Sequence, residues 1–173
     1  MPSRQTLPTK WLMTDQGLGN ALWAAIERVP HSGGVVLRHH RSDRAFGERV
    51  AARCAARGLI LSVAGDTALA RQLGAAMIHN PESEAGGLLV SRSAHSLVES
   101  RAARDADLVF VSPVYPSASH PAREALGLQR ALELADVAGV PAIALGGLNA
   151  NRGGQAISAG FHGWAGIDCW LSD

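Results

Sequence analysis

The chain has 173 residues, 47% of them hydrophobic and 18% charged, with a formal net charge of +1. This composition excludes a disordered chain and predicts one domain with a sizeable core. No basic stripe stands out, which argues against nucleic acid and anionic membranes as partners.

Two further observations bear on location. The two cysteines, Cys54 and Cys169, lie far apart without the spacing of metal ligands. No apolar run reaches the roughly 18 residues that a membrane span needs, and residues 1–9 lack the apolar core of a signal peptide. We therefore expect a reduced, soluble, cytoplasmic protein.

Short apolar runs alternate with longer amphipathic runs in the first half of the chain. The pattern predicts strands at 11–14, 35–37, 59–63 and 75–78, and helices at 21–29, 46–57 and 67–73. Gly58 and Gly74 follow two of these helices, where a C-terminal cap belongs. The segment 80–87 is polar and has no room for a full helix.

The second half resumes the alternation. We predict strands at 88–90, 108–111, 141–145 and 161–167, with helices at 97–106, 125–138 and 151–158. A loop rich in proline and serine spans 112–123. Residues 168–173 are too few for another full helix.

Eight apolar strands that alternate with helices predict a parallel sheet buried on both faces. A closed eight-stranded barrel and an open doubly wound sheet both fit. No Gly-x-Gly-x-x-Gly motif follows the first strand, which weakens the nucleotide-binding open sheet. A barrel would be one compact domain over 1–173, with 1–9 as an N-terminal extension, helix four vestigial and helix eight nearly missing.

In either architecture, functional residues lie beyond the carboxyl ends of the strands. Polar residues and glycines collect there: Arg38, His39, His40, Asp66, His79, Glu82, Glu84, Ser91, Ser93, His95, Ser112, Ser117, Ser119, His120, Gly146, Gly147, Asn149 and Asp168. Five of the seven histidines belong to this set. We therefore expect one polar cleft at this end.

Each of these residues also has a structural interpretation. A histidine at a strand end is often only a hydrogen-bonded structural group, and His95 or Ser96 could cap the helix that begins at Leu97. Gly146 and Gly147 could turn the chain, or let backbone N–H groups approach a phosphate. Arg38 directly follows an apolar strand and favours an anion partner.

Several segments resemble the thiamine phosphate synthase family, which includes the related thiazole tautomerase. They are Leu-Met-Thr-Asp at 12–15, Val-Leu-Arg-His-His at 36–40, Ser-Ala-His-Ser-Leu at 93–97 followed by Glu99, Ala-Asp-Leu-Val-Phe-Val-Ser-Pro-Val-Tyr-Pro-Ser at 106–117, and Pro-Ala-Ile-Ala-Leu-Gly-Gly at 141–147. The last two segments are the most specific. The resemblance implies a (β/α)8 barrel.

The resemblance also implies a transferase of thiamine biosynthesis, which joins a pyrimidine diphosphate to a thiazole phosphate. Its catalytic residues would be Arg38, His40, Ser93 and His120. Its substrate- and phosphate-binding residues would be His79, Ser117, Ser119, Gly146 and Gly147. A magnesium ion held by Asp66 and Glu84 would assist the departing pyrophosphate. The ligand would be a small phosphorylated molecule.

The sequence departs from the family pattern at several of these positions. Histidine replaces two family lysines, at His40 and His120, and Val36 replaces a glutamine. Ala64 and Gly65 stand where the family has its Asn-Asp pair, so that Asp66 would be displaced by one position. Asp168 replaces a phosphate-binding serine. In the tautomerase branch the catalytic histidine would fall at Pro113.

These departures leave three functions open. They are a synthase with weakened activity, a binding or regulatory barrel that has lost catalysis, and a barrel whose rim histidines perform acid–base chemistry. The reduced helices four and eight would expose apolar surface, from which we expect a homodimer.

Overall fold

The computed structural model describes residues 6–39, 43–117 and 124–171. Eight strands and six α-helices follow each other as β1 Lys10–Met13, α1 Ala21–Arg28, β2 Gly34–Leu37, α2 Arg44–Ala56, β3 Ile60–Ala64, α3 Thr67–Gln72, β4 Met77–His79, β5 Leu89–Ala94, α4 Leu97–Ala102, β6 Leu108–Val111, α5 Leu128–Ala138, β7 Ala142–Leu145, α6 Ala150–Ala159 and β8 Gly163–Gly166. Short 3₁₀ helices occupy Gln16–Leu18 and Asp168–Trp170.

The strands form a closed parallel barrel in chain order, in which β8 pairs with β1. This is the compact (β/α)8 barrel predicted from the sequence. The two reductions are also confirmed: residues 80–88 connect β4 to β5 without a helix, and a single 3₁₀ turn follows β8. None of the helices in the described ranges is long and apolar enough to cross a membrane.

Helix starts follow the capping rules. The side chains of Asp43, Asp66, Ser96 and Asn149 each accept a hydrogen bond from a backbone N–H in the first turn of α2, α3, α4 and α6. Gly139, in the left-handed conformation, ends α5. Local sequence therefore fixes where most of the helices that surround the barrel begin.

Large side chains fill the barrel interior below the carboxyl ends of the strands; this region is called the lower interior. Trp11 and Phe110 pack edge to face with ring centroids 5.5 Å apart, and Met13, Val36 and Met77 belong to the same cluster. A second, larger apolar layer lies between the sheet and the helices. Because the lower interior is filled, the open space of the barrel lies at the other end.

The described part of the N-terminal extension is hydrogen-bonded to the barrel. Its carbonyl groups at Leu7, Pro8 and Thr9 accept hydrogen bonds from His162 Nε2, Trp11 Nε1 and the backbone N–H of Trp164. These contacts lie at the amino ends of β1 and β8, so this extension covers the end opposite to the expected site.

Two element boundaries differ from the prediction in a way that matters for the site. Strand β5 continues to Ala94 instead of ending at residue 90, because Ser91 and Ser93 occupy inward-facing strand positions. Helix α5 begins at Leu128 and not at residue 125. Gly127 has φ +74°, and the N–H groups of Leu126 and Gly127 donate to the carbonyls of Pro113 and Val114 instead.

Candidate active site

A cavity of about 540 Å³ opens at the carboxyl ends of the strands. All eight strands contribute to its wall, either with their last residues or with the residues that follow; Met13, Arg38, His79 and Ser112 are examples. Active sites of (β/α)8 enzymes lie at this end of the barrel. The cavity is therefore the candidate active site.

His79, the last residue of β4, is 2% exposed and lies at the floor of the cavity. Its Nδ1 lies 3.0 Å from Ser91 Oγ, and its Nε2 lies 3.2 Å from Asn80 Nδ2 and 3.1 Å from Ser93 Oγ. Its ring packs edge to face against Phe110 at 5.2 Å. The imidazole is thus fixed on three sides.

The hydrogen bonds of Asn80 assign the tautomer of His79. Asn80 Oδ1 accepts the backbone N–H of Ser93 at 2.9 Å, so the other amide atom, Nδ2, is a donor. His79 Nε2 must then be an acceptor, and Nδ1–H donates to Ser91 Oγ. Burial, helped by the positive charge of Arg38 and by His95, lowers the pKa of His79 to about 3. His79 is therefore a neutral hydrogen-bonding group and a weak base at neutral pH.

Arg38 directly follows β2, which only β3 separates from the strand of His79. Its Nε donates to the carbonyl of Thr14 at 2.8 Å, and Nη2 lies 3.4 Å from Asp15 Oδ2. Burial lowers the pKa of Arg38 while Asp15 raises it, and a guanidinium stays charged throughout the physiological range. Because Thr14 and Asp15 hold one edge of the guanidinium, its remaining N–H groups can bind an anion in the cavity.

His95 was a candidate helix cap in the sequence, but the structure gives that role to Ser96. Ser96 Oγ accepts the backbone N–H of Glu99, and Glu99 in turn accepts the backbone N–H of His95 at 2.7 Å. The His95 ring lines the cavity, and its Nδ1 lies 2.8 Å from the carbonyl oxygen of Ser112. The sequence places His95 at this rim, but His95 is not among the predicted catalytic, binding or metal residues.

The wall of the cavity beyond β7 and β8 contains two adjacent glycines. Gly146 and Gly147 have φ +99° and +63°, and a Cβ on Gly147 would lie 2.4 Å from the carbonyl oxygen of Pro116. These glycines are required by the close approach of two loops. Ser117 and Asp168 line the cavity beside them. An acidic side chain thus lies where loops of many barrels bind phosphate.

The structure places the candidate residues in three groups. Those that line the cavity are Arg38, His79, Ser93, Ser117, Gly146 and Gly147. Those that lie outside the described residues are His40, Ser119 and His120. Asp66 and Glu84 are described but exposed, and they do not line the cavity.

The residues present do not fit the expected magnesium site. The Asp66 carboxylate caps α3 by accepting the N–H of Leu69 at 2.9 Å. In the described ranges, no group of three or more His, Cys, Asp and Glu side chains could hold a metal ion. Magnesium prefers carboxylate and phosphate oxygens, and the cavity offers it only Asp168 among the carboxylates of its described lining.

Comparison with known proteins identifies the family. The sequence model of the thiamine monophosphate synthase family matches residues 14–169. The chain belongs to this family. Apart from Met13 at the end of β1, the matched range includes every residue of the described cavity lining, so nearly all of the site lies within the part of the chain that the family model matches.

Individual proteins are similar to this chain in sequence or in fold. The chain is 33% identical over 85 residues to a putative thiamine-phosphate synthase 2 of Aquifex aeolicus, a match that covers 48% of this chain and only 46% of that protein. Its fold is similar to thiamine phosphate pyrophosphorylase from Pyrococcus furiosus, with a TM-score of 0.80, 18% identity, and coverage of 99% of this chain and 91% of that one. The fold is also similar to thiamine phosphate pyrophosphorylase from Bacteroides thetaiotaomicron. The TM-score is 0.63 and the sequence identity 21%, and the match covers 94% of this chain and 83% of that one.

Proposed function

We propose that this chain joins a pyrimidine diphosphate to a thiazole phosphate, at a rate well below that of a typical enzyme. The observation that carries the proposal is the position of Arg38, His79 and Ser93 around one cavity at the carboxyl ends of the strands. Membership of the thiamine monophosphate synthase family supports the reaction type.

Arg38 is the group that would hold the departing pyrophosphate. In this reaction the bond from the pyrimidine methylene carbon to the diphosphate oxygen breaks, and negative charge builds on the leaving oxygens. The thiazole nitrogen then captures the resulting cation. A guanidinium preset by Thr14 and Asp15 stabilises that charge without having to reorganise.

Ser93 and Asn80 supply neutral polar contacts on the β4–β5 side. Asn80 Nδ2 lies 3.2 Å from Ser93 Oγ and 3.2 Å from His79 Nε2. The single O–H of Ser93 donates to His79 Nε2 in this structure. Because Asn80 and His79 fix the position of Ser93, that O–H can turn to donate to a leaving-group oxygen at little entropic cost. Because its pKa is low, His79 stays neutral; it helps to position Ser93 and adds no positive charge to the site.

The slow rate follows from what the cavity lacks. Neither Asp66 nor Glu84 lies in the described lining to help with the charge of the pyrophosphate. Asp168 lies on the β8 side, where its carboxylate would repel each negative charge of a phosphate by about 1–4 kcal/mol at a separation of ~4 Å. We expect turnover at least ~100-fold below the ~10 per second of a typical enzyme.

A time course of thiamine phosphate formation from both precursors tests this proposal, with wild-type protein and with Arg38→Gln. We expect slow product formation that falls at least tenfold further in the variant. Arg104→Gln is the matched control, since its Nε also donates to a carbonyl, that of Val137, but on the outer surface. Equal rates for wild type and Arg38→Gln would overturn the proposal.

A second candidate function is a binding barrel without catalysis. The capping role of Asp66 and the acidic Asp168 favour it, because both depart from what pyrophosphate chemistry requires. Tight binding of the pyrimidine diphosphate without product formation, in a reaction containing both substrates and magnesium, would support this candidate against the synthase.

A further inference from the structure

Arg152 connects the two loops that form the wall of the cavity after β6 and β7. Its Nη1 donates to the carbonyl oxygen of Gly147 at 2.7 Å. Its Cζ lies 4.7 Å from the centroid of the Tyr115 ring, which is the geometry of a cation–π contact. One guanidinium therefore binds the loop after β7 through the backbone and the loop after β6 through a side chain. Arg152 itself lies outside the described lining of the cavity.

Helix α6 provides a rigid base for this guanidinium. The backbone N–H of Arg152 donates to Asn149 Oδ1 at 2.9 Å, which places Arg152 in the first turn of the helix. The next residue, Gly153, lies so close to β8 that a Cβ on it would be 2.4 Å from Trp164 Nε1. Because α6 packs directly on the barrel, the backbone of Arg152 is fixed relative to the strands. Contacts made from a helix position their partners more precisely than contacts made from a loop.

The loop after β6 has few backbone contacts near Ser117. Its pairing with the loop after β7 reaches Tyr115, whose N–H donates to the carbonyl of Gly146 at 3.0 Å. Pro116 has no N–H group, so Tyr115 is the last residue before Ser117 whose N–H is hydrogen-bonded in the described part of this loop. The Tyr115 ring also packs against the apolar layer between sheet and helices. Arg152 thus contacts the last fixed residue before Ser117, which lines the cavity.

We propose that Arg152 is a positioning residue: by holding Tyr115 and Gly147 together, it fixes the segment 115–117 and with it the Ser117 hydroxyl in the cavity wall. This inference rests on the proposed function, because the ligand whose binding it affects is a substrate of that reaction. Arg152 acts through the two loops and makes no contact with the ligand.

Three substitutions test this role. Arg152→Met keeps the aliphatic part of the side chain but loses both contacts. Arg152→Lys keeps a positive charge and an N–H donor, so it should recover part of the function that Arg152→Met loses. Arg104→Met is the matched control, because Arg104 is also exposed and its Nε also donates to a backbone carbonyl, that of Val137 at 3.0 Å, on the outer surface.

The first readout is spectroscopic and does not depend on activity. Tyr115 is the only tyrosine in the sequence, so protein labelled with fluorotyrosine reports on this loop alone in fluorine NMR. Arg104→Met should give the same resonance as wild type. Arg152→Met should shift or broaden it, and Arg152→Lys should give an intermediate spectrum. A resonance in Arg152→Met identical to that of wild type would overturn the inference.

The second readout is the steady-state kinetics of thiamine phosphate formation. In the proposed reaction Arg38 holds the diphosphate, so the thiazole phosphate is left with the wall that contains Ser117. We expect Arg152→Met to raise KM for the thiazole phosphate about tenfold and KM for the pyrimidine diphosphate less than about twofold. A merely structural role would instead reduce the folded fraction, which lowers kcat and leaves both KM values unchanged.

The outcomes separate this inference from the function on which it rests. Equal KM values for the thiazole phosphate in wild type and Arg152→Met overturn the role of Arg152 while the transferase proposal stands. Absence of product from wild type overturns the proposed function, and calorimetric affinity for the thiazole phosphate then decides the inference. Weaker binding by Arg152→Met than by wild type supports it, whereas equal binding, or no binding by wild type, overturns it.

Discussion

The carboxylate of Asp66 accepts a hydrogen bond from the backbone N–H of Leu69, with 2.9 Å between Oδ1 and N. This contact defines the start of α3. A residue that the sequence offers as a magnesium ligand thus caps the start of a helix, and it lies outside the described lining of the cavity. The contact with Leu69 gives the Asp66 carboxylate a structural role at the start of α3.

Replacement of Asp66 should therefore affect stability and not ligand binding. Asp66→Ala removes the cap and should lower the free energy of unfolding by about 1 kcal/mol in urea denaturation, whereas Asp66→Asn, which can still cap, should change it by a few tenths. Pyrophosphate affinity with magnesium present should be the same for all three proteins. Loss of that affinity in the equally stable Asp66→Asn would identify Asp66 as a metal ligand.

His79 should make stability depend on pH below neutrality. Its pKa of about 3 in the folded state lies below the 6.5 of an unfolded histidine. Between these values the unfolded state binds the proton more readily, so stability falls as pH falls through about 6.5, by at most ~1.4 kcal/mol per pH unit. His79→Gln should flatten this slope between pH 6.5 and 4 in urea denaturation.

The matched control for this experiment is Phe110→Leu. It removes the ring that packs against His79 at 5.2 Å but keeps the titrating group. Phe110→Leu should be less stable than wild type and retain most of the pH slope. A slope in His79→Gln as steep as that of wild type would show that other groups cause the pH dependence.

The filled lower interior should make Gly34 intolerant of a side chain. A Cβ at Gly34 would lie 2.2 Å from the Trp11 ring, whereas one at Gly154, inside α6, would meet nothing within 4 Å. Gly34→Ala should cost about 1–3 kcal/mol of unfolding free energy. Gly154→Ala should add up to ~1 kcal/mol. Equal stability of both variants in urea would contradict this account of the barrel core.

The sequence predicts the fold better than the site. Alternation of strands and helices predicts a buried parallel sheet, because burial on both faces imposes apolar strands, and the short segment 80–87 predicts that the helix after β4 is missing. The choice of a closed barrel over an open sheet comes from the resemblance to the thiamine phosphate synthase family. Polar strand ends also place Arg38, His79 and Ser93 near one another. These conclusions need only the direction of parallel strands.

The roles of individual side chains are harder to predict, because they depend on contacts between distant segments. His95 and Ser96 are neighbours, yet one faces the cavity and the other caps α4. Asp66 is acidic and follows a strand, which is typical of both a metal ligand and a helix cap. Gly127 breaks the helical pattern at 125–127 through hydrogen bonds to the loop after β6.

The missing helix after β4 leads us to propose a homodimer. Val90 and Arg92 point outward from β5 and remain half-buried, and Val98 on α4 is 73% exposed. Sedimentation at micromolar concentration should show a dimer. Val98→Asp should raise the dissociation constant at least tenfold, whereas Ile157→Asp on α6, 41% exposed in the monomer, should not. A wild-type monomer would contradict the prediction.

The most direct test of the candidate site is a crystal structure of the protein soaked with the pyrimidine diphosphate. Our account predicts the diphosphate within hydrogen-bond distance of the Arg38 guanidinium, and the pyrimidine ring in the cavity lined by His79, Ser93 and His95. A diphosphate bound on the outer surface, with the cavity at the carboxyl ends of the strands left to water, would contradict it.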